Sequence, residues 1–377
     1  MKRQQHLQGF TLLEILISLV IGLVLMTGVV SLMINSKRAY NVQNDLAGLQ
    51  ENARFAVEFI AKDARMAGYQ GCAGGMSLSV QGLNNQTVSG AGVQSDVLLI
   101  SSADTSRNAF AVMHCPPFEV YGQLFGLTSG AYQTICPPTG NANFPAPTPF
   151  MRGRTAFNFD YSGGAPSATG CNQSSTSTAC FGIGGDIRAN DTVVVADCNG
   201  SNTYQVSNVT FSGGRPTGVT LSTGLTRTYA NGQQSYGAEM RRLQNRRYYV
   251  ALSQGRSVLC RDTLALNAAL DCNIANGAEV LIEGVENMQL RYLVNLSTPT
   301  ATPSFQYLPA SAANLNWDSV RGIRVTLLMQ SVETRTDRDL AAQTFSLDET
   351  EFPNYTPPDQ LRLRRVFSNT VMLRNRS

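Results

Sequence analysis

Lysine and histidine are almost missing from this chain. Lysine occurs only at Lys2, Lys37 and Lys62, and histidine only at His6 and His114. Beyond residue 62 this excludes Gly-Lys-Ser/Thr phosphate loops, Schiff-base lysines and multi-histidine metal centres. Charge is scarce as well. Charged residues make up 15% of the 377 residues, against about 25% in an average soluble domain. The net charge of +3 is too small for wholesale attraction to nucleic acid. The cysteines form no Cys-x-x-Cys pair, so the spacing of zinc ribbons and dithiol redox motifs is absent. No twelve-residue calcium loop surrounds Asp337, Asp339, Asp348, Glu349 and Glu351, which read as solvated acids. His114 next to Cys115 is a poor nucleophile–base pair, because a disulfide-bonded sulfur is no nucleophile. The chain reads as a non-enzyme, with no catalytic residue, metal or cofactor.

What is present is apolar and cysteine-bearing. Hydrophobic residues account for 43% of the chain, too many for a disordered protein. The eight cysteines, Cys72, Cys115, Cys136, Cys171, Cys180, Cys198, Cys260 and Cys272, all follow the apolar N-terminal stretch, which suits disulfides in an oxidising compartment. On the order of a hundred pairings are open. Short turn-rich loops favour Cys115–Cys136, Cys171–Cys180 and Cys260–Cys272, leaving Cys72 for Cys198.

The N-terminus sets the class. Residues 1–9 are polar and basic, and from Phe10 to Ile34 the chain is apolar apart from small or hydroxyl residues and Glu14. About 20 residues cross a bilayer core as a helix, and Lys2 and Arg3 ahead of the span hold that end in the cytoplasm. A secretory signal has a shorter apolar core with its small-residue cleavage site behind it; here Gly9 stands in front. Glu14 is costly inside a membrane and needs a partner. Cleavage after Gly9 would supply one, because the new amine of Phe10 in one subunit then pairs with Glu14 of its neighbour.

Gly9-Phe10-Thr11-Leu12-Leu13-Glu14 resembles the class III signal of type IV prepilins and type II secretion pseudopilins. The resemblance implies cleavage after Gly9, N-methylation of Phe10 by the prepilin peptidase/methylase, and assembly contacts through Glu14 and Thr11. Unlike many major pilins, the chain has no proline within this helix; Gly22 and Gly28 are its only weak points.

After Ile34 the helical pattern turns amphipathic. Val42, Leu46, Leu49, Ala53, Ala56 and Ile60 form a stripe at spacings of three and four, widened by Phe55 and Phe59. Gly68 and Gly71 end it, so a helix from Phe10 to Met66 would be roughly 85 Å long. Beyond it the pattern changes to short strands and turn-rich loops. Strands are expected at Val97–Ile100, Thr192–Ala196, Val219–Ser222 and Arg247–Leu252. Further strands are expected at Met288–Leu296, at Ile323–Gln330 and around Leu361–Leu373. Period-two alternation in the late strands implies antiparallel pairing, one face on the helix and one in solvent. Residues 137–149 are proline-rich and 162–179 rich in Gly, Ser and Thr, read as surface insertions. The expected fold is α+β: a leader (1–9), a transmembrane helix (10–36), an amphipathic stalk (37–68) and a β-rich head (69–377) with insertions around 100–245.

Two arginine groups stand out: Arg241, Arg242, Arg246 and Arg247 around Tyr248 and Tyr249, and Arg362, Arg364, Arg365, Arg374 and Arg376 near the end. They are read as polar strand faces, with DNA contact the weaker alternative. Phe59–Tyr69, Val193–Cys198, Leu281–Tyr292 with its Glu-Gly-Val-Glu-Asn core, and Arg364–Thr370 resemble PilW-type minor pilins. That resemblance implies an inner-membrane subunit with a periplasmic head. It would join other minor pilins, the major pilin, the assembly platform and a large tip adhesin to prime a pilus serving motility, adhesion or DNA uptake. A J-type pseudopilin of type II secretion shares much of this pattern. A membrane-anchored surface hydrolase working through two carboxylates is the remaining alternative.

Overall fold

A single helix, α1 (Leu12–Met66), carries the first part of the chain and at 1.5 Å per residue is about 80 Å long. The computed structural model describes residues 11–71, 79–88, 93–104, 110–112, 133–136, 156–160, 187–197, 200–212, 215–227, 238–296, 304–334 and 343–375. The strands that follow α1 are β1 (Val80–Val88), β2 (Val93–Ala103), β3 (Phe110–Val112), β4 (Gln133–Cys136), β5 (Ala156–Asp160), β6 (Thr192–Asp197), β7 (Gly200–Ser212) and β8 (Arg215–Leu221). Then come β9 (Ala238–Ser253), β10 (Arg256–Asp262), β11 (Glu279–Glu283), β12 (Val285–Asn295), β13 (Phe305–Leu308), β14 (Val320–Gln330) and β15 (Arg364–Met372).

The late strands form an antiparallel sheet in the order β13-β12-β14-β15. A second sheet runs β1-β2-β9-β10-β11 at one end. Strand β9 is 16 residues long and continues past β2 into a separate body. There its N-terminal half pairs with β3 on one side and β6 on the other, and the chain β3-β4-β5-β8-β7-β6 joins those two neighbours. These pairings close a small barrel, antiparallel except for β3 with β4. Its own core contains Val193, Val195, Tyr204, Val206, Val209, Val219, Leu221 and Met240.

The outer part of α1 packs across both sheets. Leu49, Ala53, Ala56, Ile60 and Ala64 share one core with Ile100, Tyr248 and Leu259 of one sheet and Leu290, Tyr292, Val325 and Leu327 of the other. The alanines let the helix sit close to the strands. Phe55 and Phe59 do not join them: they are 44% and 37% exposed and lie off the buried stripe.

The late strands depart from the expected half-solvated pattern. Leu290, Tyr292, Ile323 and Val325 face the helix core as alternation requires, yet Gln289, Arg291, Thr326 and Gln330 are buried too. Hydrogen bonds to Arg291 and Arg364 hold residues 343–363 against these strands. The last strand begins at Arg364, and Leu361 remains 44% exposed outside it.

Candidate assembly interface

The first described residue is Thr11, which is extended and caps α1: its Oγ1 accepts the Glu14 N–H at 3.3 Å. A hydroxyl that takes an orphan amide at a helix start is a standard cap, so the Thr-x-x-Glu spacing has a local structural use. Glu14 in the first turn also complements the positive helix end. From Leu12 to Ile34 every large apolar side chain is exposed, over a length and composition sufficient to cross a membrane. The hydroxyls in that span bond back to the helix itself: Ser18 to the Ile15 carbonyl, Thr27 to Val24 and Ser31 to Thr27, at 2.7–3.2 Å. The Glu14 carboxylate makes no hydrogen bond or ion pair with a described residue. Gly9 and Phe10, the expected processing residues, lie outside the described residues.

At its other end the helix is fixed to the head by a buried acid. Asp63 is 2% exposed. It pairs with Arg246, accepts the Tyr248 hydroxyl and lies 3.6 Å from Arg261. Burial and then the Asp63 carboxylate push the Tyr248 hydroxyl well above its usual range, so it stays a donor. The helix ends where Gly68 takes φ +73° and gives its N–H to the Ser101 carbonyl at 3.0 Å. Asn375, past the last strand, reaches back to the Arg65 and Ala67 carbonyls, each at 3.4 Å. These contacts tie the end of the helix to the head.

Period two explains the first arginine cluster. Along β9, Arg246 and Tyr248 point to the helix, whereas Arg247 and Tyr249 point to the opposite face. Arg247 is fully buried there, paired with Asp262 at 2.7 Å and donating to the carbonyls of Ala265, Ala268 and Ala269. That covering loop is closed by a Cys260–Cys272 disulfide, one of the pairings the loop spacing favours. Each of the other three suggested pairings includes a cysteine outside the described residues, namely Cys72, Cys115, Cys171, Cys180 or Cys198; the Cys136 side chain is likewise not described. In the second arginine group Arg364 is buried and bonds Glu286 at 2.5 Å and Asp359 at 3.1 Å. Arg362 donates to the Ser331 and Val332 carbonyls. Arg247 and Arg364 thus hold the core together and offer no charge to a phosphate, which removes them from the DNA reading.

The blocks singled out in the sequence meet in space. Asp63 of the stalk end meets Arg246, Asp197 of Val193–Cys198 meets Arg227, and Glu286 of the Glu-Gly-Val-Glu-Asn run meets Arg364. Sequence reasoning misplaced Asp348 and Glu351, which are half-buried and paired with Arg291. Arg291 donates to both Asp348 oxygens and to Thr350 Oγ1, and stands 3.5 Å from Glu351. Burial raises the Asp348 carboxyl, but the Arg291 and Thr350 bonds outweigh it and hold it well below the usual carboxylate range. The buried Ser95 and Asp96 were missed altogether; two polar residues inside the apolar run of β2 were the available signal.

Comparison with known proteins agrees with this arrangement at both ends of the chain. Residues 247–375 match the family model described as type IV pilus-assembly protein W, and residues 6–30 match the prokaryotic N-terminal methylation motif. Among solved structures, a type IV-like pilin from Thermus thermophilus is similar at 15% identity. That match covers 50% of this chain and 85% of that one, with a TM-score of 0.20, too low to bear on the fold. No curated protein matches the sequence. The methylation motif ahead of a long apolar helix, together with the matched C-terminal sheet, makes this chain similar at its two ends to type IV pilin-like proteins of the PilW type.

Proposed function

We propose that the chain is a minor pilin that primes type IV pilus assembly with other minor pilins and stays at or near the fibre tip. The observation that carries this reading is the exposed apolar helix with one carboxylate, Glu14, left without a described partner in its first turn. Cleavage after Gly9 gives Phe10 a positive amine one helical turn from Glu14. The amine of one subunit then neutralises Glu14 of the next, which fixes the axial register of the packed helices. Before assembly, residues 10–36 span the inner membrane with the head in the periplasm. The rigid stalk–head joint at Asp63 carries the register set in the membrane to the head. The partners are the prepilin peptidase, other pilins, the assembly platform and a large tip adhesin.

Glu14→Ala tests this. The variant is expected to insert and to form the Cys260–Cys272 bridge normally. Recovery of partner pilins with the detergent-solubilised chain should fall at least about tenfold, as expected when a desolvated charge pair is broken. Undiminished co-purification and normal piliation would overturn the reading.

A further inference from the structure

An arginine carries five N–H donors in a rigid fork, and Arg247 uses all of them. Nε and Nη2 donate to the two Asp262 oxygens at 2.9 and 2.7 Å. Nη2 also donates to the Ala269 carbonyl at 2.9 Å. Nη1 donates to the carbonyls of Ala268 at 2.6 Å and Ala265 at 3.1 Å. Three of the five donors therefore go to one loop, residues 263–271. Asp262 starts that loop by accepting the Leu264 N–H at 3.1 Å. Cys260 and Cys272 stand on either side of it, with Cα atoms 5.9 Å apart.

The loop contains no strand or helix. Among the described residues its internal backbone bonding is one contact, from the Ala268 N–H to the Ala265 carbonyl at 3.0 Å. Leu266 and Leu270 add apolar packing against a small cluster that includes Tyr249, Cys260 and Cys272. Closing such a loop costs chain entropy, and the arginine bonds oppose that cost. None of those bonds passes through a sulfur, so all of them are available to the reduced chain. Removing Arg247 is different. Three loop carbonyls and the Asp262 carboxylate, itself 2% exposed, would then lose their donors inside the protein, which is strongly unfavourable.

We propose that Arg247 is the positioning residue of the Cys260–Cys272 bridge: it seats the loop in the reduced chain, and the disulfide locks a loop already in place. The oxidant is a disulfide, small-molecule or protein. Cys272 is 6% exposed against 0% for Cys260, so its sulfur meets the oxidant first. The Cys272 thiolate attacks one oxidant sulfur, the oxidant S–S bond breaks, and one oxidant thiolate leaves. The Cys260 thiolate then attacks the Cys272 sulfur and expels the second. Both cysteine thiols have lost their protons, and the oxidant has taken two electrons and ends as two thiols. Arg247 acts on the second attack, because a seated loop raises the effective concentration of one sulfur at the other. Its charge is matched by Asp262, so it works through geometry.

The test reoxidises the reduced, detergent-solubilised full-length chain in a glutathione buffer and maps its peptides by mass spectrometry. Trypsin cuts after Arg256 and Arg261, which puts Cys260 and Cys272 in different peptides held together only by the bridge. In the native chain the bridged pair should dominate over the two peptides carrying glutathione. Arg247→Lys keeps the charge but lacks the fork, and the ratio of bridged to glutathione-bearing peptides should fall at least about tenfold. A second measurement leaves Arg247 in place. With Cys260→Ala and Cys272→Ala combined, the Leu264 and Ala268 amides should still exchange hydrogen at least about tenfold more slowly than in the urea-unfolded chain. Should Arg247→Lys fail to fold, this double variant decides. An unaltered peptide ratio in Arg247→Lys, or exchange of those amides at the unfolded rate without the bridge, overturns the proposal.

Discussion

Gly284 shows how much depends on a single missing Cβ. It takes φ +84°, gives its N–H to the Ser257 carbonyl and accepts the Gln330 N–H, linking the strand ahead of it to both sheets. A Cβ there would lie 2.6 Å from the Gln330 carbonyl oxygen. Gly284→Ala should therefore cost about 3 kcal/mol, combining roughly 1–2 for left-handed backbone with a steric clash of similar size. Gly277 separates the two effects, because it has φ +80° with nothing near its Cβ position. Gly277→Ala should cost only the backbone part, about 1 kcal/mol. Denaturant unfolding of the two variants checks this, and equal losses would show that the clash is relieved elsewhere. Gly284 was visible in the sequence only as one letter of a Glu-Gly-Val-Glu-Asn run. Its need for glycine comes from a carbonyl 46 residues away in the chain, which no local pattern reveals.

Among the elements, the helix and the late strands were legible because their periodicity is clean, and the covering segment was not. Residues 343–363 hold one short bridge, Phe345 with Tyr355, and otherwise depend on side chains. Arg291 grips Asp348 and Thr350, Glu351 accepts Asn84 at 2.9 Å, and Glu286 accepts the Tyr355 hydroxyl at 3.1 Å. None of these pairs has a sequence period, so β12 and β14 looked half-solvated. Phe55 and Phe59 misled in the opposite direction: apolar type suggested the core, but the helical rotation leaves them outside. Asp348→Asn should free this segment, because Arg291 then stays buried with its main counter-charge gone, a loss of roughly 3 kcal/mol. Hydrogen exchange at the Phe345, Leu347 and Tyr355 amides, all bonded within the segment, should quicken by tenfold or more, with the helix amides unchanged. The sign with pH follows from the lowered Asp348 carboxyl. Its contribution is complete above the ordinary carboxylate range near 4 and fades only as pH falls below it. Above that range the Asp348 contribution is therefore constant, and it adds no pH dependence near neutrality.

On the scale of the whole molecule, the small barrel interrupts a hairpin. β2 and β9 pair antiparallel from Leu98 with Tyr248 to Ala103 with Leu243, and the Asp104 N–H reaches the Arg242 carbonyl at 2.8 Å. A tight turn would normally follow that point; here the chain leaves, forms the barrel and returns through the first half of β9. The insertion was expected around 100–245, but its barrel was hidden from sequence because several of its strands span three to five residues. Runs that short, set among Pro, Gly and Ser, carry little alternation. The barrel has its own core, while the Asp63 latch and the Arg291 and Arg364 pairs all belong to residues outside it. Replacing residues 105–241 by Asn-Gly would join Asp104 to Arg242 through a two-residue turn of the kind hairpins favour. The shortened chain should fold, keep the Cys260–Cys272 bridge and still recover partner pilins through its unchanged helix. Failure of that chain to fold, with the Asp63 contacts intact in sequence, would mean that barrel and head form one cooperative unit.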